Sequence, residues 1–485
     1  MLSDQDRDLY TQYYKETSVR FVDYYTNFAD QNISTQHKLG SSIDSIHKAL
    51  HLANELNLFR QLIRGCHALF PVWETQGLYS QAMLHLTNAN SASASLNDNE
   101  LRISILYQLG FIIQKLGNGV QSQAYLQQGL KLARQMHNRE KQCLLLVALG
   151  STMIGLSEFD RARHFLLDGL TVARDLQIPE IICKLLTRLG TVEVSCSNHL
   201  DANAYLQEAL DIAMPLNQPT ITIDVLLNLA ANVGRQGLYT EAEQYSRQAL
   251  PLVRELDHRE RLCNILRNLG AALMMQGKTD DGEIYFLEGL AIAQEIGHQE
   301  ITCGLLNNLG MAAVSKGHFE QSMDYWQRGL NYAREADNQE MVRNFLSSLG
   351  LVALDYASFD EAERYLQDSL QLARRINIPW SLGDSLLAWG KYCLRRNQTD
   401  IAKEIFTETL TITQNAGISE MVGEAIFGFA QIAQLQGDLA EAYRKGNESL
   451  ALFDEIHSHD APNVRDWLNN EIIPRLDLHV PNSQP

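Results

Sequence analysis

The stretch LCNILRNLGAALMMQGKTDDGEIYFLEGLAIA, residues 262–293, contains two runs in which apolar residues recur every three or four positions. The first run extends from Leu262 to Leu273, and the second from Ile284 to Ala293. This spacing is typical of amphipathic α-helices. The short segment Gly277–Thr279 between the runs has turn composition. The stretch therefore predicts a helix, a turn and a second helix, which we call helix A and helix B.

The Leu-Gly pair in helix A recurs along the chain at multiples of forty residues. Its glycine position is occupied by Gly110, Gly150, Gly190, Ala230, Gly270, Gly310, Gly350, Gly390 and Ala430. A small residue lies twelve positions later and a leucine lies twenty positions later in every unit. Because one helix pair cannot bury its apolar stripe alone, successive pairs should stack into one core. The register predicts an all-α, right-handed solenoid of about 10–11 helix pairs.

The two ends of the chain follow this register less strictly. Residues 1–100 are predicted to form atypical helical repeats, and residues 101–458 are predicted to form the regular ones. Residues 459–485 contain APNVRDWLNNEIIPRLDL, which predicts an amphipathic capping helix followed by a tail.

The composition narrows the classes of partner. Forty Lys and Arg residues oppose 58 Asp and Glu residues, which gives a net charge of −18. Such a charge disfavours nucleic acid and anionic membranes. No targeting or membrane-spanning segment is evident, so we expect a cytoplasmic protein. The seven cysteines include no C-x-x-C pair, and four occupy one helix A position, so we expect buried free thiols.

Candidate cofactor and catalytic motifs fail on spacing. Gly277, Lys278 and Thr279 resemble the end of a phosphate-binding loop, but a phosphate-binding loop needs glycine at the position of Ala272. His47 and His51 share a helix face without a third metal ligand, so we expect a solvated surface pair. No catalytic constellation is evident. The sequence predicts a protein that is not an enzyme and has no cofactor or metal.

The Leu-Gly pair, the small residue twelve positions later and the small-Leu pair that ends helix B resemble the tetratricopeptide repeat (TPR). This resemblance implies stacked helix pairs whose A helices line a concave groove for a peptide or protein. The units here are forty residues long rather than thirty-four. Arg134, Arg174, Arg254 and Arg334 occupy the position where the family has proline.

In TPR arrays, an asparagine just before the Leu-Gly pair commonly contacts the backbone of a bound peptide. The resemblance places Asn228, Asn268 and Asn308 at this position. Beside them lie Asn264, Arg267, Asn307, Lys184 and Arg188. The last two match cations that clamp a C-terminal carboxylate, so an acidic or carboxylate-bearing partner is expected. The alternative is that the asparagines bridge neighbouring helices.

The N-terminal part, including ETSVRFVDYYTNFADQ and ALFPVWETQGLYSQA, is similar to the MalT-like TPR sensor arm of bacterial signal-transduction (STAND) ATPases. Two functions remain open. The first is a non-enzymatic binding scaffold in regulation or signalling. The second is an inducer-sensing arm that regulates an ATPase or transcription regulator supplied in trans. A polar groove would favour the first, whereas an apolar pocket near Tyr107 and Phe111 would favour the second.

Overall fold

A computed structural model describes residues 4–32, 36–196, 198–256, 258–356, 358–456, 458 and 460–477. These residues form α-helices joined by short turns, and no strand occurs within those ranges. The predicted all-α class is confirmed. The chain divides into two compact units, which we call the first unit (Met1–His258) and the second unit (Arg259–Pro485).

The first unit begins with three helices and continues with five A/B pairs. Its helices are α1 (Asp4–Gln31), α2 (Gln36–Ser41), α3 (Ile43–Glu55), α4 (Phe59–Gln76), α5 (Tyr79–Ser95), α6 (Asn99–Lys115), α7 (Gly119–Gln135), α8 (Arg139–Gly155), α9 (Phe159–Leu176), α10 (Pro179–Ser195), α11 (His199–Leu216), α12 (Pro219–Arg235) and α13 (Tyr239–Glu255).

The second unit contains five further A/B pairs and a short helical segment after them. Its helices are α14 (Arg259–Met275), α15 (Thr279–Glu295), α16 (Gln299–Ser315), α17 (Phe319–Glu335), α18 (Gln339–Tyr356), α19 (Phe359–Ile376), α20 (Pro379–Arg395), α21 (Thr399–Asn415), α22 (Ser419–Leu435), α23 (Leu439–Glu455), α24 (Ala461–Trp467), a π-helix (Leu468–Ile472) and α25 (Ile473–Asp477).

Within each unit, every helix A packs against the helix B that follows it, and each helix B packs against the next helix A. The turn after helix A requires a left-handed residue. Gly277 has a φ of +79° and lies between the end of α14 and the start of α15. Gly117, Gly237, Gly317 and Gly437 adopt a similar φ in their own turns. Gly277 and Lys278 lie in this turn, as predicted, whereas Thr279 is the first residue of α15.

The small residues of the register mark close approaches between helices A and B. A Cβ on Gly282 of α15 would lie only 2.6 Å from the carbonyl oxygen of Gly270 in α14. A Cβ on Gly150 of α8 would instead meet the side chain of Leu166. The leucines twenty residues after the glycine position are mostly buried, as Leu170 and Leu290 are. The forty-residue register therefore specifies where two helices touch and what fills the space beside them.

The cysteines are all free, and six of the seven are buried. Cys143, Cys183, Cys263 and Cys303 share one position of helix A, where each thiol contacts a main-chain oxygen of the following helix B. These four cysteines are core residues, as predicted. Cys196 is the half-buried exception.

The segment Ala461–Asp477 packs against α23. Val464, Leu468 and Ile472 are buried there, and a Cβ on Gly446 of α23 would lie 2.7 Å from Leu468. These contacts have the character expected of a capping segment. The predicted tail, residues 478–485, lies outside the described residues, and the domain division proposed from sequence stays a prediction.

Candidate functional site

The predicted site residues of the second unit lie on α14 and α16, which contact each other. Asn264, Arg267 and Asn268 come from α14, and Asn307 and Asn308 come from α16. We call these five residues the amide face. All five are half-buried, whereas Leu266, Leu269 and Leu306 of the same helices are buried in the core. The fold therefore places the amide face on the side of helix A that the core does not use.

The side chains of Asn264, Asn268 and Asn308 form no hydrogen bond with any described residue. Asn307 makes only a weak contact, 3.8 Å from its amide nitrogen to the sulfur of Met311. An amide carries two donors and an acceptor oxygen, and a half-buried amide without partners has lost part of its hydration. These side chains are therefore available to a ligand.

Arg267 has no ion pair and no hydrogen bond within the described part of the chain. Burial lowers the pKa of its guanidinium, and the charge of Glu300 opposes that effect. The side chain reaches α16 at Gly304, where a Cβ would lie 3.1 Å from Nη1 and 3.7 Å from Cδ. Gly304 therefore leaves the space in which the guanidinium lies.

Asn228 belongs to the first unit and has a different environment. Its Oδ1 accepts a hydrogen bond of 3.1 Å from the hydroxyl of Thr191 on α10, and its Nδ2 donates to the carbonyl oxygen of Asp224. This contact between α10 and α12 is the kind that the helix-bridging alternative expects, and a ligand contact by Asn228 stays a prediction. Thr191 lies thirty-seven residues before Asn228 in the chain. The residue thirty-seven positions before Asn308 is Ala271, which has no hydroxyl group to donate.

Lys184 and Arg188 are exposed on α10 of the first unit, and neither has a partner among the described residues. Arg188 lies within electrostatic reach of Tyr107 on α6. Burial and the charge of Glu74 raise the pKa of Tyr107 to about 12, and Arg188 opposes this rise. Two free cations and a phenol therefore share this part of the first unit.

Phe111, which sequence analysis associated together with Tyr107 with an apolar pocket, packs against Phe70 in the same unit. The rings of Phe70 and Phe111 pack edge to face at 5.6 Å, and the ammonium of Lys115 lies 5.9 Å from the Phe111 ring. Phe70 and Phe111 are half-buried rather than core residues.

Sequence analysis missed the continuation of the amide face on α18. Asn344 and Ser348 occupy the positions of Asn264 and Asn268 two repeats later, and both are half-buried, with side chains that form no hydrogen bond with a described residue. The forty-residue register alone could have found them.

The interpretation of His47 and His51 as a solvated pair is wrong for His47. The indole of Trp73 donates a hydrogen bond of 2.9 Å to Nε2 of His47, and the ring of His85 stacks 5.2 Å from that of His47. His51 is exposed, as expected. Trp73 lies on α4 and His85 on α5, whereas His47 lies on α3. The spacing of His47 and His51 therefore could not reveal these contacts.

A buried arginine was also missed. Arg343 of α18 is fully buried, and its guanidinium donates to Glu340 of its own helix and to Asp384 and Ser385 of α20. It occupies the helix A position that holds cysteine in four other repeats. A charged residue at a helix A position that is otherwise mostly apolar was the sequence signal that could have identified this buried arginine. This paired arginine links two repeats and is a structural feature.

No group of three or more His, Cys, Asp or Glu side chains within the described residues is arranged to hold a metal ion. No helix within them combines the length and apolar character needed to cross a bilayer.

Comparison with known proteins identifies a repeat family for part of the chain. Residues 222–388, about a third of the sequence, match the model of the MalT-like TPR region. No curated protein matches the chain.

Three solved structures illustrate the structural similarity. A Rap protein complexed with Competence and Sporulation Factor is 13% identical, with a TM-score of 0.49 over 78% of this chain and 99% of its own. A STAND protein with a TPR sensor from Pyrococcus horikoshii is 13% identical, with a TM-score of 0.49 over 83% of this chain and 54% of its own. The quorum sensor NprR from B. thuringiensis is 14% identical, with a TM-score of 0.46 over 79% and 99%.

Proposed function

We propose that this chain, whose residues 222–388 form a MalT-like TPR region, is a non-enzymatic scaffold that binds a protein or peptide segment through its A helices. The observation that carries the proposal is the amide face. The side chains of Asn264, Asn268 and Asn308 are half-buried and form no hydrogen bond with a described residue, and they lie beside Arg267, which forms no ion pair with a described residue. A cytoplasmic, bacterial setting in regulation or signalling is part of the same proposal.

The chemistry of the amide face suits an extended main chain. Each asparagine can donate to a peptide carbonyl and accept from a peptide N–H, whatever side chain the peptide carries. A bound segment would restore hydrogen bonds that the half-buried amides lack, and each restored bond contributes about 0.5–1.5 kcal/mol. Specificity would then come from neighbouring side chains.

The free cations favour an acidic or carboxylate-bearing partner. Lys184 and Arg188 in the first unit and Arg267 in the second have no ion pair with a described residue, although the chain has a net charge of −18. Electrostatic complementarity between a local positive patch and an acidic segment would steer binding and exclude basic segments. The excess of acidic residues elsewhere would repel such a partner from the rest of the surface.

The second candidate function is an inducer-sensing arm that regulates an ATPase or transcription regulator in trans. The half-buried aromatic pair Phe70 and Phe111, close to Lys115, favours a small ligand over an extended peptide at that place. An ATPase captured by the wild-type chain from extracts, and released by a small molecule, would support this candidate.

The test of the first candidate compares peptide binding by the wild type, the double variant N268A/N308A and the control N331A/N415A. Asn331 and Asn415 are exposed on helices B of the same unit. A displayed library of random peptides is selected on the wild type. We expect the selected peptides to bind N268A/N308A roughly 5- to 150-fold more weakly, since the loss of two hydrogen bonds removes about 1–3 kcal/mol.

The control should bind these peptides as the wild type does, and the urea midpoints of both variants should stay near that of the wild type. Asn228 is left unchanged because its bonds to Thr191 and Asp224 contribute to folding. Equal affinities of wild type and N268A/N308A, or no peptide selected by the wild type, would overturn the assignment of the amide face.

A further inference from the structure

Gly304 interrupts a column of side chains on the A helices. The corresponding residues on the neighbouring A helices of the second unit are Asn264 on α14 and Asn344 on α18. Every other repeat from α6 to α22 has a side chain at this position, including Leu144 on α8. At Gly304 the space is taken by the side chain of Arg267, which approaches from α14.

Within the described part of the chain the guanidinium of Arg267 forms no ion pair, whereas two other partly or fully buried guanidinium groups, those of Arg343 and Arg163, do. Arg343 donates to Glu340 and Asp384. Arg163 forms two hydrogen bonds with Glu193, which is itself buried. Arg267 has Glu300 within electrostatic reach but forms no ion pair with it. A half-buried cation that forms no ion pair keeps only part of its hydration, and this partial loss of hydration destabilises the folded state. A ligand that supplies the counterion would remove that cost.

We infer that Arg267, lying over Gly304, is an oxyanion subsite that binds the side-chain carboxylate of an Asp or Glu in the bound segment. This inference rests on the proposed function and makes its specificity explicit. Burial weakens the hydration of the guanidinium, as the lowered pKa of Arg267 also indicates. The planar guanidinium can donate two parallel hydrogen bonds to one carboxylate.

An internal residue of the segment fits this place better than a chain terminus. The amides of Asn264 and Asn268 lie on α14, and the amide of Asn344 lies on α18. The guanidinium of Arg267 lies against α16, which is between these two helices in the repeat order. Amides that can bind main chain therefore occur on both sides of Arg267 in the register. A segment held by them continues past the arginine in both directions, and its side chain delivers the carboxylate.

Two probes test the inference on the full chain. The first is glutarate, compared with chloride at equal ionic strength in thermal unfolding. The second is a random decapeptide library that is acetylated and amidated, so that only side chains carry carboxylates. The variants are R267Q, R267K and G304L. Leucine is tolerated at this position in α8 as Leu144, and it fills the space that the guanidinium occupies. E300Q is the control that removes the nearby competing charge.

We expect the wild type to be stabilised by glutarate and to select peptides with an enriched Asp or Glu at one position. R267Q and G304L should lose both effects, with about tenfold weaker binding of Glu peptides and less than twofold change for the matching Gln peptides. R267K keeps the charge without the planar fork and should lose most of the affinity. E300Q should bind glutarate more tightly than the wild type. R267Q alone, without ligand, should unfold at the same or a higher temperature.

The outcomes separate this inference from the proposed function. Peptides that bind at the amide face without acidic enrichment would overturn the subsite and leave the scaffold proposal standing. A glutarate effect that disappears in R267Q, with no peptide selected, would show that Arg267 binds a free carboxylate, and it would overturn both the scaffold proposal and the assignment of the carboxylate to a bound segment. A glutarate effect of equal size in the wild type and R267Q, or a lower unfolding temperature of R267Q with acidic preference retained, would overturn the subsite.

Discussion

Asn228 and Asn308 occupy the same position in two repeats, yet their neighbours use them differently. The hydroxyl of Thr191 holds Asn228, whereas Ala271 leaves Asn308 without such a partner. The register predicted where both side chains lie. Whether an amide is engaged depends on a residue thirty-seven positions earlier, and that dependence becomes visible only when the spacing of the helices is known.

The His85 ring is the clearest pH-sensitive residue of the first unit. It is buried on α5 and stacks on His47 and on Trp73, and its Nδ1 has no hydrogen-bond partner among the residues that the structure describes. Burial lowers its pKa to about 4, and the charges of His47 and His51 add to the effect. Burial also lowers the pKa of His47, against the opposing charge of Asp44.

These directions predict that the first unit loses stability as the pH falls. The unfolded chain binds a proton near pH 6.5, whereas folded His85 binds one only near pH 4. Its contribution is therefore fully present above pH 6.5 and is lost between pH 6.5 and 4, by about 3 kcal/mol in total. Urea unfolding measures this loss of stability, and amide exchange in α3–α5 shows where in the first unit it occurs.

The variant H85F keeps a stacking ring without a titrating group and should show a smaller loss over this pH range. H164F is the control, because His164 is exposed on α9. If H85F and the wild type lose the same free energy between pH 6.5 and 4, His85 does not carry the dependence.

Pairs of helices show what the repeat register specifies and what it leaves open. The bounds of α14 and α15 follow from the apolar spacing and the Gly277 turn, and the small residue at position 282 follows from the register. The distance between the two helices does not follow from the register. Gly282 is opposed by the main-chain oxygen of Gly270, whereas the equivalent residue of α9 is Ala162, whose methyl group is fully buried. The register alone treats alanine and glycine there as equivalent, because it contains no distances.

The close approach of α14 and α15 predicts the effect of G282A. The added methyl group would lie 2.6 Å from the Gly270 oxygen, so the two helices would have to separate. Overpacking costs about 1–3 kcal/mol, and the better helix propensity of alanine offsets up to about 1 kcal/mol of it. We expect a net loss of about 1–2 kcal/mol, measured as a lower urea midpoint.

The matched control is G155A in α8. No atom lies within 4 Å of a Cβ placed on Gly155, so only the propensity changes. This variant should be as stable as the wild type or more stable by up to about 1 kcal/mol. A stabilised G282A would show that α14 and α15 can move apart without cost.

At the scale of the whole molecule, stability should be a sum of neighbouring contacts. Within each unit the helices contact helices close to them in sequence, as expected for a quasi-one-dimensional array. This pattern of contacts between helices that are close in sequence explains why the fold could be predicted from the sequence. It also explains why the ligand could not be predicted. A repeated contact leaves a periodic signal, whereas Arg267 and Gly304 form a single contact that occurs once.

The capping segment of the second unit tests how far a local change propagates. Leu468 and Ile472 are buried against α23, and Asn469 and Asn470 beside them are exposed. The double variant L468A/I472A removes core methyl groups and should cost several kcal/mol locally, since each large-to-alanine change costs about 2–5 kcal/mol. In an array of neighbour contacts, this loss should lower amide-exchange protection in α22 and α23 and leave protection in α14–α17 unchanged.

The control variant N469A/N470A should leave protection unchanged throughout the second unit. An equal loss of protection from α14 to α23 in L468A/I472A would instead show that the second unit unfolds as one cooperative body.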